Sequence, residues 1–272
     1  MSSFHSKTIL ITGGASGIGK LMAEIAARKQ ASTIILWDIN QSALDETVKQ
    51  LSASASTKII GDRVDVSDVE QIRSAAKRAA ESAGPVDILI NNAGIVVGKY
   101  FHEHSHEEIE RSMAVNASAL MHITREFLPA MIERKSGHIL NISSAAGMVG
   151  NPKMSVYAAG KWAVIGWSES LRLEMKKLRS PVKVTCATPY YISTGMFAGV
   201  KSSAVIPITK PEVAARRIIA AVEHDRLYIR LPRIVYTLQF FKGVLPIRWF
   251  DLFVGKLLKV YKTMDEFTGR TQ

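Results

Sequence analysis

The residues with the clearest capacity for proton transfer are Tyr157 and Lys161. Seven tyrosines occur in the chain, and only Tyr157 is followed by a lysine four residues later. In a helix that spacing places both side chains on one face. A phenol normally has a pKa of about 10, and a fixed cation beside it favours phenolate and lowers that pKa. The pair could therefore take a proton from an alcohol or return one to a carbonyl, although a solvated helix pair has the same spacing.

A serine hydroxyl lies upstream of this pair. Ser144 is thirteen residues before Tyr157 and just past the apolar run at 138–142. If that run is a strand of a parallel sheet, Ser144 lies at the C-terminal edge of the sheet, where open α/β sheets bind their ligands. The serine therefore favours catalysis over a solvated surface pair.

A glycine-rich turn indicates where a nucleotide binds. The segment TGGASGIG at 12–19 follows the apolar run at 7–11 and leads into a helical pattern. Gly13 permits a tight turn, Gly17 lets the backbone approach a ligand, and Gly19 allows the helix to pack closely on the strand. We predict a nucleotide pyrophosphate at the N-terminus of a helix that begins near Gly17.

An acid at the end of the next apolar run predicts the form of that nucleotide. Asp38 lies about 20 residues after the turn, where a carboxylate accepts hydrogen bonds from both adenosine ribose hydroxyls and repels a 2′-phosphate. NAD is therefore favoured over NADP. The alternative is that Asp38 only caps the following helix, for which Asn40 and Ser42 are also available.

The elements that must position these residues alternate along the chain. Stretches of helical period separate the apolar runs, which indicates a single doubly wound α/β domain, a parallel Rossmann sheet with helices on both faces. Capping boxes at 67–70 and 105–108 predict two helix starts. The expected strands lie near 7–12, 33–37, 58–66, 86–91, 138–143, 182–188 and 227–231.

Composition excludes several classes of protein. With 272 residues, 47% of them hydrophobic, the chain can bury a large core without disulfides. Its single cysteine, Cys186, lies in an apolar run and indicates a reducing, cytoplasmic location. No signal peptide and no apolar stretch long enough to cross a bilayer is evident, so we expect a soluble or membrane-associated protein. No nucleic-acid motif accompanies the net charge of +11, and the histidines at 102–106 lie among glutamates, so we predict no metal site.

Several motifs occur together in order, and as a set they resemble the short-chain dehydrogenase/reductase superfamily over about residues 6–231. The motifs are the glycine-rich turn at 12–19, Asp65-Val66, the Asn-Asn-Ala-Gly sequence at 91–94, Asn116, Ser144, and Tyr157 with Lys161. The resemblance implies that Tyr157 is the acid/base, that Lys161 lowers its pKa and holds the nicotinamide ribose, and that Ser144 orients the reacting carbonyl. It also implies that Asn116 holds a water in the proton relay.

The same resemblance supplies the expected cofactor contacts. Asp65 and Val66 would contact the adenine. Ser16, where NADP-dependent relatives often have a basic residue, is neutral and Ile39 is apolar, which again favours NAD. The residues expected to bind the cofactor are Gly13, Ser16, Gly17, Ile18, Gly19, Asp38, Ile39, Asp65, Val66, Asn92, Ala93, Gly94, Tyr157, Lys161, Ile192 and Thr194.

The substrate side departs from the common family pattern, because Tyr190 replaces the glycine that often follows the sixth strand. The segments at 36–40 and 194–197 are similar to the retinol dehydrogenase and 17β-hydroxysteroid dehydrogenase branch, which implies a lipophilic alcohol or ketone and a homodimer or homotetramer. The alternatives are a 3-oxoacyl or other small carbonyl reductase and a catalytically silent NAD-sensing scaffold. The expected substrate-binding residues are Ser144, Tyr157, Tyr190, Met196 and Phe197, with Ile192 and Thr194 at the nicotinamide carboxamide.

The chain continues beyond its last strand with a basic, apolar segment. We divide it into a catalytic part, 1–231, and a helical extension, 232–272. From Arg233 to Lys262 there are six basic residues and one acid, and a helix over 246–262 would be amphipathic. Such a helix could lie in a membrane interface; it could equally be a lid over the substrate pocket or a subunit contact. Its apolar arc would comprise Phe250, Phe253, Val254, Leu257, Leu258 and Tyr261.

Overall fold

A computed structural model describes residues 2–202 and 206–269. Seven parallel strands form one sheet in the order β3-β2-β1-β4-β5-β6-β7, which confirms the expected doubly wound fold. All seven expected strands are present. They are Thr8–Thr12 (β1), Thr33–Asp38 (β2), Lys58–Arg63 (β3), Ile88–Asn91 (β4), His138–Ile142 (β5), Lys183–Pro189 (β6) and Tyr228–Leu231 (β7).

Helices cover both faces of the sheet because its central strands are apolar on both sides. In β1, Ile9 and Ile11 pack against one helical layer and Leu10 against the other, as the two-residue repeat of a strand requires. The first layer contains Gly17–Arg28 (α1), Gln41–Ser54 (α2) and Pro211–Glu223 (α7). The second contains Val69–Ala83 (α3), His106–Met113 (α4), Ala119–Glu133 (α5) and Ser155–Lys177 (α6), with a π-helical turn, Ala114–Ser118, between α4 and α5.

Local signals located the helix starts with one error. Ser105 and Glu108 form the expected capping box at the start of α4. At the start of α3 the expected cap, Ser67, is wrong: the side chain of Asp68 accepts the N–H groups of Glu70 and Gln71 instead. Because α3 begins at Val69, Asp68 occupies the N-cap position, and the hydroxyl of Ser67 donates to Asp65 at 2.6 Å.

The segment after β7 is not one continuous helix, contrary to the expectation for 246–262. It comprises Val235–Val244 (α8), Ile247–Asp251 (α9), a π-helical turn over Leu252–Leu257 and a short 3₁₀ turn over Val260–Lys262. Lys259 has a φ of +55°, which ends the helical path. The expected extension runs to residue 272, and its last three residues lie outside the described ranges.

Candidate active site

The glycine-rich turn lies where β1 meets α1, beside the point at which the strand order reverses between β1 and β4. Gly17 adopts a φ of +55°, a conformation that favours glycine. A Cβ on Gly19 would lie 2.0 Å from the carbonyl oxygen of Gly13, so Gly19 permits the helix to approach the turn itself. The side chain of Ser16 does not cap α1, and the first N–H groups of that helix face a site suited to phosphate.

Hydrogen bonds fix this turn to the loop after β4. The hydroxyl of Thr12 accepts the backbone N–H groups of Asn92 and Ala93, each at 3.0 Å. In return, the Asn92 amide donates to the carbonyl oxygens of Thr12 at 2.9 Å and Gly13 at 3.0 Å. One side of the cleft is therefore a hydrogen-bonded unit formed where β1 and β4 end.

Asp38 lies at the end of β2 and faces the cleft. Its two carboxylate oxygens accept the N–H groups of Ala15 at 3.0 Å and Asn40 at 3.1 Å. The alternative role as a helix cap is taken by Asn40, whose side chain accepts the N–H of Ala43. Asp38 instead connects the glycine-rich turn to β2 and retains lone pairs for further donors.

The far end of the cleft is closed by a carboxylate and a cation from different elements. Asp65 accepts hydrogen bonds from Ser67 and lies 3.5 Å from the Arg111 guanidinium. Burial acts to raise the pKa of Asp65, but the hydrogen bonds from Ser67 and the charge of Arg111 outweigh it, so the pKa lies below its usual value. Asp65 is therefore ionised and oriented at neutral pH.

Ser144, Tyr157 and Lys161 lie together at the opposite end of the cleft. Ser144 Oγ donates to the Pro189 carbonyl oxygen at 3.3 Å and accepts the Ala146 N–H at 3.2 Å, and Lys161 Nζ lies 5.6 Å from the centre of the Tyr157 ring. Lys161 Nζ also donates to the carbonyl oxygen of Ile142 at 3.0 Å, which fixes the ammonium group beneath the cleft. All three side chains are almost wholly buried.

Burial controls the acidity of this group. It raises the pKa of Tyr157 to about 12, against a smaller lowering by the hydrogen bond with Ser144, and it lowers the pKa of Lys161 to about 8. In this structure the loss of hydration outweighs the lowering by Ser144, and the expected lowering of the tyrosine pKa by Lys161 remains a prediction. Tyr157 is a protonated phenol at neutral pH.

Asn116 lies in the π-helical turn and is fully buried. Its side-chain oxygen accepts the Ile95 N–H at 3.1 Å and its amide donates to the Ile95 carbonyl oxygen at 2.9 Å. A Cβ on Gly94 would lie 3.1 Å from Asn116 Oδ1 and 3.5 Å from Lys161 Nζ. Asn116 therefore holds the loop that separates it from Lys161, and its expected role in holding a water remains a prediction.

Aromatic side chains surround Tyr157 on the substrate side. Phe197 packs edge-on against Tyr157 and Tyr191, with ring centres 6.1 and 5.0 Å apart. A second cavity begins at Ser144 and extends away from the cleft. Its lining is mainly apolar: Ser144, Ala145, Ala146, Val149, Asn151, Met154, Tyr190, Tyr191, Phe197, Leu238 and Val260.

Comparison with known proteins assigns the family. The sequence profile of short chain dehydrogenases matches residues 7–204. The chain belongs to the short-chain dehydrogenase family. It is 37% identical over 265 residues to epidermal retinol dehydrogenase 2 of Mus musculus, across 96% of this chain and 85% of that protein.

Solved short-chain dehydrogenase structures share the fold. A protein from Burkholderia phymatum in complex with NAD has a TM-score of 0.80 at 28% identity, over 87% of this chain and 93% of that one. One from Sphingobium yanoikuyae in complex with NADPH has a TM-score of 0.76 at 25% identity, over 88% and 96% of the two chains. This short-chain dehydrogenase is therefore an oxidoreductase that acts on CH–OH groups with a nicotinamide cofactor, and it is similar to the retinol dehydrogenase branch.

The residues of the cleft fit such a cofactor. Uncapped N–H groups at α1, the acid at Asp38 and the buried pair Tyr157 and Lys161 lie along one continuous cleft. Of the residues expected to contact cofactor or substrate, only Gly19 does not line it. Those that do are Gly13, Ser16, Gly17, Ile18, Asp38, Ile39, Asp65, Val66, Asn92, Ala93, Gly94, Ser144, Tyr157, Lys161, Tyr190, Ile192, Thr194, Met196 and Phe197.

Sequence reasoning missed several residues that line the same cleft. Arg111 comes from α4, and its position depends on how that helix folds back across the sheet, which no local spacing indicates. Trp37 precedes Asp38 and was identifiable only as part of an apolar run. The complete set of missed residues is Trp37, Val64, Ile95, Arg111, Val115, Ile142, Ser143 and Pro189.

Proposed function

We propose that this protein is an NAD-dependent dehydrogenase of lipophilic alcohols, with retinoids, steroids and long-chain alcohols as the substrate class. The observation that carries the proposal is the position of Ser144, whose side chain lines both the cofactor cleft and the second, mainly apolar cavity. A carbinol held by Ser144 would have its reacting carbon in the cleft and its apolar body among Val149, Met154 and Leu238. The name of the mouse relative, a retinol dehydrogenase, supports the same class.

Asp38 supports NAD over NADP. Its carboxylate is fixed by two backbone N–H groups at the point where an adenosine ribose would meet the end of β2. A 2′-phosphate there would face this negative charge. Arg63, on the neighbouring strand, donates to the Ile39 carbonyl oxygen at 3.3 Å and is absent from the described lining of the cleft. The related structures contain NAD in one case and NADPH in another, so the argument depends on Asp38.

In the proposed reaction the protein binds, orients and exchanges a proton. The Ser144 hydroxyl would hold the substrate oxygen next to Tyr157, which removes the hydroxyl proton in oxidation and returns it in reduction. Lys161, fixed on the Ile142 carbonyl oxygen, would stabilise the phenolate that oxidation requires. The aromatic wall around Tyr157 would exclude water from this exchange. The nicotinamide cofactor accepts or supplies the hydride.

Steady-state assays of the purified protein test this proposal. We expect turnover of all-trans-retinol, a hydroxysteroid or a long-chain primary alcohol with NAD, and a kcat/KM at least about tenfold lower with NADP because of charge repulsion at Asp38. A short polar alcohol and a 3-oxoacyl thioester serve as comparison substrates. A preference for either would favour the small carbonyl reductase alternative, and a preference for NADP would contradict the role of Asp38.

A further inference from the structure

The segment after β7 carries a concentrated apolar surface. Of the sixteen exposed large apolar side chains in the part of the chain that the structure describes, seven lie within residues 236–257, although that segment is only 22 residues long. Clusters of this kind mark interaction sites, whereas single exposed apolar residues need no explanation. We call these seven residues the tail surface: Tyr236, Phe240, Val244, Ile247, Trp249, Leu252 and Leu257.

The exposure of the tail surface follows from a well-packed inner face. Leu238, Phe250 and Val254 of the same segment are at most 3% exposed and pack with Met148 and Val149 of the catalytic body. Along α8, Tyr236, Phe240 and Val244 recur every four residues, so they form one outward stripe. Because the inner side chains fix the orientation of the segment, the outward residues have no alternative burial within the folded chain.

Contacts between the helices and with the body hold this arrangement. Phe241 of α8 packs against Phe253, with ring centres 5.3 Å apart. Lys242 donates to the Met148 carbonyl oxygen at 2.7 Å and its Nζ lies 4.0 Å from the ring centre of Trp162 on α6. The stripe on α8 and the outward residues of 247–257 are therefore held in place by the same contacts, and together they form the tail surface.

The charge around the tail surface identifies its partner. Arg248, Lys256 and Lys259 are exposed within or next to it, and the only acid of the segment, Asp251, accepts a hydrogen bond from Tyr261. In a two-fold contact between two copies of the chain, the cations of one copy would face the same cations of the other. An anionic lipid surface complements both the cations and the aromatic and aliphatic side chains.

We propose that the tail surface lies in the interface of an anionic lipid bilayer, with Phe240, Trp249, Leu252 and Leu257 at the acyl boundary and the basic residues at the headgroups. Within residues 2–202 and 206–269, no helix has the length and hydropathy needed to span a bilayer. The contact inferred for this segment is therefore with one leaflet, parallel to the membrane plane.

The inner face of the same segment lines the second cavity through Leu238 and Val260. A bilayer bound to the tail surface would thus lie on the opposite side of the layer that covers this cavity. A lipophilic alcohol dissolved in the membrane would have a short path to Ser144. This consequence rests on the proposed function, whereas the binding of the surface to lipid does not.

Vesicle co-sedimentation of the full chain tests the proposal without any substrate. We expect wild-type protein to bind phosphatidylcholine vesicles that contain phosphatidylserine at least tenfold more tightly than phosphatidylcholine alone, and this difference to shrink in high salt. Trp249 is 64% exposed and should be quenched by brominated lipid. That quenching should fall in Trp249→Phe, because the three tryptophans that remain, Trp37, Trp162 and Trp167, lie outside the tail surface.

Two double variants separate the apolar and the charged contributions. Leu252→Ser with Leu257→Ser should weaken vesicle binding at least tenfold without changing the melting temperature, since both side chains are exposed. Arg248→Gln with Lys256→Gln should lower binding to anionic vesicles about twenty-fivefold, at about fivefold per charge, and leave binding to neutral vesicles unchanged. Leu173→Ser with Leu178→Ser is the matched control, because Leu173 of α6 and Leu178 at its C-terminal cap are 52% and 62% exposed.

Three results would overturn the proposal. Wild-type protein that does not sediment with anionic vesicles would do so directly. Equal binding by the wild type and both tail variants would place the lipid contact elsewhere. A wild-type dimer that the Leu252→Ser, Leu257→Ser variant converts to monomers, with no vesicle binding by either, would make the tail surface a subunit contact. Each result is independent of whether a retinoid, steroid or other alcohol is turned over.

Discussion

The two ends of the active-site cleft are built in different ways. The cofactor end is held by hydrogen bonds between short polar side chains and backbone, such as those that join Thr12, Gly13 and Asn92 where β1 and β4 end. The substrate end is held by packing between aromatic and aliphatic side chains from distant parts of the chain. Phe197 contacts Tyr157 there, and Leu238 of α8 lines the cavity that begins at Ser144.

This difference separates the cofactor-binding groups, whose positions must be fixed, from the substrate-binding side chains, whose positions can vary. Pyrophosphate and ribose need donors and acceptors at fixed positions, and backbone groups at strand ends supply them. An apolar substrate body needs only volume and complementary shape, which side-chain packing adjusts residue by residue. Changes at the cofactor end should therefore alter binding or chemistry in large steps. Changes at the substrate end should alter KM and stability in small ones.

The largest expected effect is at the point where the two ends meet. Tyr157→Phe removes the hydroxyl that we propose exchanges the proton while the ring still packs on Phe197, so kcat should fall about a thousandfold. The dissociation constant of NAD should change less than about threefold. Stopped-flow and equilibrium fluorescence titrations measure the two quantities. Tyr100→Phe, at an exposed ring, is the matched control, and residual turnover within tenfold of wild type would exclude Tyr157 as the acid/base.

The next largest effect is expected at the cofactor end of the cleft. Asp38→Ala removes the ribose acceptor and the negative charge together, so the ratio of kcat/KM with NAD to that with NADP should fall by between about tenfold and a hundredfold. Asp45→Ala, at an exposed residue of α2, should leave the ratio unchanged. An unchanged ratio in Asp38→Ala would mean that its carboxylate serves only to connect the glycine-rich turn with β2.

A smaller effect, a change in kcat/KM of about tenfold per pH unit, follows from the buried pair Tyr157 and Lys161. Oxidation needs phenolate, and with the pKa of Tyr157 near 12 the phenolate fraction grows with pH throughout the accessible range. Lys161, with a pKa of about 8, supplies its charge only below that pH. The kcat/KM for oxidation should therefore rise to about pH 8 and then level off, whereas that for reduction should be level at first and fall beyond the same pH.

Pre-equilibrated pH profiles in both directions check this expectation. Tyr157 remains protonated below its raised pKa, so the reductive profile has no break on the acid side from this residue. An oxidative profile that is flat between about pH 6 and pH 8 would show that Tyr157 already carries its charge at neutral pH. In that case the cofactor or the substrate would offset the effect of burial.

The same contrast explains what could be predicted from the sequence. The glycine-rich turn, Asp38 and the pair Tyr157 and Lys161 follow from local patterns, because each depends on a strand end or one helix turn. Arg111 could not be placed, since its contact with Asp65 depends on the path of α4. Phe250 was assigned to the apolar arc offered to a membrane, lid or subunit, and it is 2% exposed. Helical spacing defines a face but not the direction in which tertiary packing turns it.

Which side chains of the segment after β7 face inward also could not be predicted from the sequence. A regular helix over 246–262 would place Phe250 and Leu257 on the same arc, whereas in the structure Phe250 is buried and Leu257 is 68% exposed. The π-helical turn over Leu252–Leu257 changes the rotation per residue between them. No sequence signal marks such a turn in advance. Its cause is the packing of Val254 and Leu258 on the body.

The smallest expected effect tests how the substrate end is attached. Lys242→Met keeps the length of the side chain but removes the hydrogen bond to the Met148 carbonyl oxygen and the charge over Trp162. Because the side chain is only partly buried, the loss should be about 1–2 kcal/mol of unfolding free energy. The cavity behind α8 should become looser, so KM for a lipophilic alcohol should rise about threefold while the dissociation constant of NAD stays the same. Urea denaturation and paired kinetics with Lys49→Met, at an exposed lysine of α2, measure both changes. If Lys242→Met weakened NAD binding as much as it raised KM, the two ends of the cleft would be coupled through α6, and the separation between them would not hold.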